Sequence, residues 1–364
     1  MCLSEPPLWC RYGAHLSKEQ VAELVAPHPE TLELVYSWLK HHGFPLSSIS
    51  VTHGGNTLTL AGVSMAQANE LLDASYQLYR HVQTNETIVR TIGYSLPTAL
   101  HGHVWTVSPT THFASLDPRV QTSREFSGGE TAEPAKSSSE RPVTVRSSHD
   151  LDDDADFTSP TFLRWLYNSW AYTPTEVYRN TLAIVGFLWE TPSPTDLAAF
   201  MRKYRSDGAD ATFTVVQVNY GNYDPSNASS EANLILQYSQ GMTYPTPHVF
   251  YSTGLGPFGT GDYYQSWLAS VLDLLSLPQT ISISYGNAEN EYSKDDVEYL
   301  CSLFAQLGAR GVSVLVASGN RGVGRDCETR DGFLRFSPLF PATCTCGVCP
   351  QLSGGRYSLL ITAL

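Results

Sequence analysis

Residues 293–317, SKDDVEYLCSLFAQLGARGVSVLVA, decide the fold. Ser293 stands where a helix N-cap offers its hydroxyl to an unpaired amide. Val297, Leu300, Phe304 and Leu307 recur at helical spacing and make one buried stripe, and Gly308 is the expected stop. Val312 to Ala317 then forms a short apolar run, the pattern of a strand covered on both faces. Similar runs recur at Leu182 to Leu188, Phe213 to Asn219, His248 to Thr253 and Thr280 to Tyr285, with helical patterns between them. Buried strands alternating with helices predict a doubly wound α/β domain, its parallel sheet carrying helices on both faces. Ligands are expected beyond the carboxyl ends of its strands.

Upstream, His15 to Phe113 reads as a separate α+β unit. Ser17 caps a helix over Lys18 to Val25, and Leu32, Val35, Tyr36 and Leu39 give a second, ended by Gly43 and Pro45. Ser48 to Thr52 and Thr57 to Ala61 alternate around Gly54-Gly55, a hairpin signal, and Met65, Ala68, Leu71 and Leu72 restore helical spacing. Strands are expected near Ile88 to Tyr94 and His103 to Val107. Between the units, Ser, Gly, Glu, Pro and the acidic Leu151-Asp152-Asp153-Asp154 supply too little apolar surface to offset the entropy of ordering. The expected organisation is therefore an α+β unit over 11–115, a flexible linker over 116–157, an α/β domain over 158–344 and a divergent tail over 345–364.

The 364 residues carry a formal net charge of −13, with 42% hydrophobic and 16% charged residues, an ordinary globular composition. Nucleic acid and anionic membrane surfaces are excluded as partners, because a phosphate-binding face needs clustered Lys and Arg and no basic run is present. No stretch of about 20 apolar residues suggests a membrane span. The opening Met1 to Gly13 lacks the cationic and apolar segments of a signal peptide. Seven cysteines (Cys2, Cys10, Cys301, Cys327, Cys344, Cys346, Cys349) leave at least one unpaired if the rest form disulfides. Two sequons, Asn85-Glu86-Thr87 and Asn227-Ala228-Ser229, would suit a secreted glycoprotein.

Three motif matches mislead. Gly254-Leu255-Gly256-Pro257-Phe258-Gly259 follows a strand as a dinucleotide fingerprint does, but Pro257 has no N–H for a phosphate and no acidic residue ends a following strand. Gly62-Val63-Ser64-Met65-Ala66 and His53-Gly54 imitate subtilisin segments, yet no Asp precedes His53 and both lie in the small unit. Cys344-x-Cys346-x-x-Cys349 lacks the second ligand pair a metal site requires.

A more extended pattern is informative. Gln217-Val218-Asn219, Ser230-Glu231-Ala232-Asn233-Leu234, Tyr244-Pro245-Thr246-Pro247, Ser284-Tyr285-Gly286, Leu303 to Ser313, Ala317-Ser318-Gly319, Gly322-Val323-Gly324 and Phe340-Pro341-Ala342 resemble, in order, the catalytic domain of the sedolisins, the serine-carboxyl peptidases. Tyr12 to Glu19, Ser50 to Asn56, Ala74-Ser75-Tyr76 and Tyr94 to Pro97 resemble that family's activation propeptide. The resemblance implies a subtilisin-like parallel sheet preceded by a ferredoxin-like propeptide, and an acid-pH serine-type tripeptidyl peptidase or endopeptidase acting on peptides or proteins outside the cell.

In that family a helix presents Glu and Asp four residues apart; Glu takes the serine proton and Asp orients Glu, while a second, protonated Asp donates to the oxyanion. Glu231 matches the general base. Its partner position is Ile235, which can neither accept a proton nor orient a carboxylate, and the oxyanion position is Asn320, whose amide can still donate. No Ser-Gly-Thr-Ser nucleophile segment and no calcium-binding segment occurs in these residues, so no cofactor is expected. The expectation is a peptidase by descent that is catalytically dead. The alternatives are an inhibitory protein that uses its propeptide module, or a gene-model fragment.

Overall fold

A computed structural model describes residues 13–52, 54–80, 87–113, 158–177, 179–256, 262–319 and 338–344. The expected linker over 116–157, the tail over 345–364, Asn320, His53, Pro257 to Gly259, Cys346 and Cys349 lie outside the described residues.

In the N-terminal unit, Ser17 and Ser64 each close a capping box, with Gln20 and Gln67 as partners, and so start α1 (Lys18–Val25) and α3 (Met65–Leu72). Pro29 opens α2 (Pro29–His41), where its missing N–H costs nothing. The hairpin is present as β1 (Ile49–Val51) and β2 (Leu58–Leu60), antiparallel with Ile49 opposite Leu60. A second antiparallel ladder pairs β3 (Gln77–Arg80) with β4 (Thr87–Arg90). The expected strand at His103 to Val107 is not one. A turn places the Val104 amide on the Leu100 carbonyl, and Val104 and Val107 pack directly on a core of Val35, Leu39, Phe44, Leu71, Leu72, Tyr76 and Leu100.

The C-terminal unit is built on five parallel strands, β5 (Leu182–Gly186), β6 (Phe213–Val218), β7 (His248–Thr253), β8 (Thr280–Ile283) and β10 (Ser313–Val316), with β9 (Asn287–Ala288) pairing separately with β11 (Leu339–Phe340). Their order is β10-β8-β5-β7-β6, so the first strand in sequence is central, with Leu182 facing both His248 and Thr280. Ile184 of β5 meets Leu197 and Met201 of α5 (Pro194–Tyr204) and Ala232 and Leu236 of α6 (Ser230–Thr243) on one face. Ala183 and Val185 meet Trp267, Leu268 and Val271 of α7 (Tyr263–Leu272) and Phe304 and Leu307 of α8 (Lys294–Ala309) on the other. Burial on both faces is why these strands read as unbroken apolar runs. A short helix, α4 (Pro160–Leu166), packs on α6.

Helix α8 runs through Gly308 and ends at Ala309; Gly311, at φ +87°, makes the reversal instead. That conformation suits glycine, and a Cβ there would also meet the His15 ring at 2.5 Å. Ser293 Oγ accepts from the Asp296 amide at 3.1 Å. Ser293→Ala is expected to lower stability by about 1 kcal/mol in urea titrations, with an unchanged m-value.

The N-terminal unit is seated on the α7–α8 pair. Lys18 Nζ meets Asp273 Oδ1 at 2.6 Å, the Leu16 amide donates to the Ala309 carbonyl at 2.9 Å, Thr106 Oγ1 donates to Asp296 Oδ1 at 2.7 Å, and Thr57 Oγ1 lies 3.0 Å from the Tyr299 hydroxyl.

Candidate functional site

The chain leaves the carboxyl ends of β5, the central strand, and β6, an edge strand, in an irregular way. Leu188 and Trp189 after β5, and Asn219 and Tyr220 after β6, all take left-handed backbone conformations, with φ of 56°, 64°, 45° and 65°. Such positions cost of order 1 kcal/mol or more each in non-glycine residues and cluster at functional sites. They project Trp189 and Tyr220 into solvent, although both are large apolar rings. Asn219 is held there by its own amide, which donates to the Gly254 carbonyl at 3.1 Å and to Ser266 Oγ at 3.0 Å.

The segment leaving β5 is stitched to the start of α6. The Thr191 amide donates to Ser229 Oγ at 3.2 Å, and the Ser229 amide returns a bond to the Thr191 carbonyl at 2.9 Å. Asn233 joins the starts of α5 and α6: its Oδ1 accepts from the Ser193 amide and its Nδ2 donates to Asp196 Oδ2, both at 2.8 Å. This stitching fixes the first turn of α6, where Glu231 is only 2% exposed. A buried carboxylate in the first helical turn sits at the favourable end of the helix dipole.

Ile235, one turn further along the same face, is half-buried and packs against the Ile184, Leu197, Met201, Ala232, Leu236 and Phe250 cluster. The position beside Glu231 is thus filled by hydrocarbon that belongs to the core. Asn320 lies outside the described residues; Ala317-Ser318-Gly319, which precede it, emerge from the carboxyl end of β10 at the same rim of the sheet.

Two groups that the sequence reading did not single out as site residues lie beyond the carboxyl ends of β8 and β5. Tyr285, just beyond β8, is buried, and its hydroxyl reaches the Phe187 carbonyl at a long 3.4 Å. Burial pushes its phenol well above the usual range, and the negative charges of Glu190 and then Glu231 add to the effect. Both carboxylates therefore lie near one phenol. Glu190 Oε2 is buried and makes no hydrogen bond among the described residues. Its only signal in the sequence is its place just after an apolar strand run. Among the described residues, no group of three or more His, Cys, Asp or Glu is arranged to hold a metal, and Cys344 is committed to a disulfide with Cys301.

Comparison with known proteins bears on this arrangement. The family described as Pro-kumamolisin, activation domain, matches residues 6–113, the unit seated on α7 and α8. A protein of Trichophyton verrucosum described as "Probable tripeptidyl-peptidase SED3" is 32% identical over 352 residues, covering 92% of this chain and 56% of the relative. The "Tripeptidyl-peptidase SED4" of Arthroderma otae is 29% identical over 350 residues, covering 92% and 55%. The chain belongs to the sedolisin family.

This sedolisin-family chain spans just over half the length of the relatives it matches. A solved structure titled as Pseudomonas sedolisin with bound pseudo-iodotyrostatin shares 18% identity and a TM-score of 0.39, over 52% of each chain. The family explains why an α+β activation domain precedes an α/β unit. No helix among the described residues is long and apolar enough to cross a membrane.

Proposed function

We propose that these residues carry a sedolisin-type peptidase unit, with its activation domain seated on it, whose acid–base couple has been lost. The observation that carries this reading is Ile235. A general base must be held in line with the proton it takes, and a carboxylate or imidazole partner normally does this. One turn from Glu231 the chain offers an alkyl group already engaged in the core. By descent the substrates are peptides or proteins, and the setting is extracellular. A buried Cys301–Cys344 disulfide suits an oxidising compartment.

The purified chain is expected to release no tripeptides between about pH 3 and 7, because a residual effect of ~10³–10⁴ over water leaves peptide-bond cleavage undetectable. Ile235→Asp with Asn320→Asp is expected to remain inactive in the chain as given, since no Ser-Gly-Thr-Ser nucleophile segment occurs in these residues. Activity should return only when the same two changes are combined with the remaining portion of an active relative. Tripeptide release by the unaltered chain, rising in proportion to its purity, would overturn the reading.

Use of the N-terminal unit as an inhibitor of another protein is the less favoured alternative. The contacts of Lys18, Leu16, Thr57 and Thr106 with α7 and α8 occupy that unit in its own chain.

A further inference from the structure

A cavity of about 450 Å³ lies at the seam between the two units, on the face of the sheet opposite α6. Leu32, Val35, Trp38 and Leu39 of α2 and Leu58 and Leu60 of β2 supply its apolar wall, and α8 closes the other side with Tyr299 and Gln306. Trp105 also lines it and is 51% exposed, which leaves a route in from solvent. Two donors on the lining residues lack acceptors: Trp38 Nε1 and Gln306 Nε2 are buried and make no hydrogen bond among the described residues. We propose that this cavity binds an uncharged small molecule with an apolar body and a carbonyl oxygen, which accepts from Trp38 and Gln306.

The size is that of small-molecule sites, roughly 300–1,000 Å³. Apolar walls hold water poorly, because each water needs about two to four polar partners, and such cavities admit apolar ligands instead. The donors then decide the head group. A buried N–H without a partner carries a free-energy cost that an acceptor removes, and a carbonyl oxygen has two lone pairs, one for each N–H. No Lys, Arg, Asp or Glu lines the cavity, and its one imidazole, His103, is engaged at Nδ1, 2.9 Å from Thr31 Oγ1. A carboxylate entering would leave its charge unpaired, so a neutral acceptor is preferred. The Tyr299 hydroxyl is already engaged, 3.0 Å from Thr57 Oγ1.

A second seam cavity, of about 470 Å³, shares Tyr299 and Gln306 but is of another kind. Lys18, Asp273 and Arg310 line it, with Lys18 paired to Asp273 at 2.6 Å and Arg310 donating to the Leu272 carbonyl at 2.7 Å. Charged and hydroxyl-bearing walls suit water. The apolar cavity is the ligand site. Its walls come from both units, so occupancy favours the docked arrangement by mass action. It lies apart from Glu231, and binding there does not depend on peptide cleavage.

The test uses the full chain at about pH 7.5, where a carboxylate is ionised, with probes of closely similar shape: 4-phenylbutan-2-one, 3-phenylpropanoate and propylbenzene. Saturation-transfer NMR titrations give each Kd. The ketone is expected to bind at or below about 1 mM, and the carboxylate at least about tenfold more weakly. Gln306→Leu and Trp38→Phe each remove one N–H and keep the wall apolar; each should weaken the ketone by about fivefold and leave propylbenzene unchanged. Leu58→Trp, which fills the cavity, should abolish binding of both, and Ser302→Phe fills it from the α8 side if the first variant does not fold. Equal affinity for ketone and carboxylate would overturn the proposal, as would ketone binding that survives the filling of the cavity or the loss of both donors. Failure of the ketone to bind at up to about 10 mM would overturn it as well.

Discussion

Replacing Cys301 and Cys344 together by alanine is expected to lower the unfolding free energy by about 4 kcal/mol. The bond joins α8 to the turn after β11 across 43 residues of sequence, and Cys344 is only 4% exposed. A cross-link over a loop of that length removes much freedom from the unfolded chain, and the chain-entropy relation gives the figure. The loop includes β10, an edge of the five-stranded sheet, so its release also frees that strand's connection. Urea unfolding of the double variant, compared with the oxidised chain, is the measurement. A loss below about 1 kcal/mol would mean that structure in the unfolded state already holds the two ends together.

The second large effect is acid destabilisation through His248. This residue begins β7, is 2% exposed, and its Nδ1 lies 2.8 Å from the Thr246 carbonyl. Burial drives its pKa down to about 4. The unfolded chain has the ordinary value of about 6.5, so between these values it binds more protons than the folded one. The stabilising contribution is therefore complete above about pH 6.5 and is lost as pH falls toward 4, roughly 3 kcal/mol in all. His248→Asn keeps a donor for Thr246 and removes the titration. Its stability should fall less steeply between pH 6.5 and 4.5. Parallel acid limbs for the two proteins would show that His248 is not responsible.

The sheet was legible because its strands are covered on both faces, leaving little room for polar residues. Their ends were less so. The apolar runs continue to Leu188 and Asn219, but those residues turn left-handed and leave the ladder, which apolarity cannot signal. Gly308 looked like the stop of α8, yet a glycine followed by Ala309 can remain helical while Gly311 takes the reversal. Strand β3 went unread because only Tyr79 of its four residues is even half-buried. In the site, Glu231 was legible only through family resemblance, since an isolated acid in a helical turn is ordinarily solvated. Its burial and the nearness of Glu190 depend on Asn233 and Ser229 drawing together segments about 40 residues apart. Local spacing holds no record of that.

The order β10-β8-β5-β7-β6 also sets a timetable. The central strand leaves the ribosome first, but its two neighbours are β7 and β8, so it must wait through β6, α6 and all of β7 before its first ladder can close. The last edge needs Val316. Contacts this distant in sequence make folding slow compared with a helical bundle of equal size. During synthesis, Leu182–Gly186 is an apolar strand with both edges open, the condition under which chains pair with one another. Expression that gives the nascent chain time, such as lower temperature, should therefore raise the soluble yield more than any change to the finished fold.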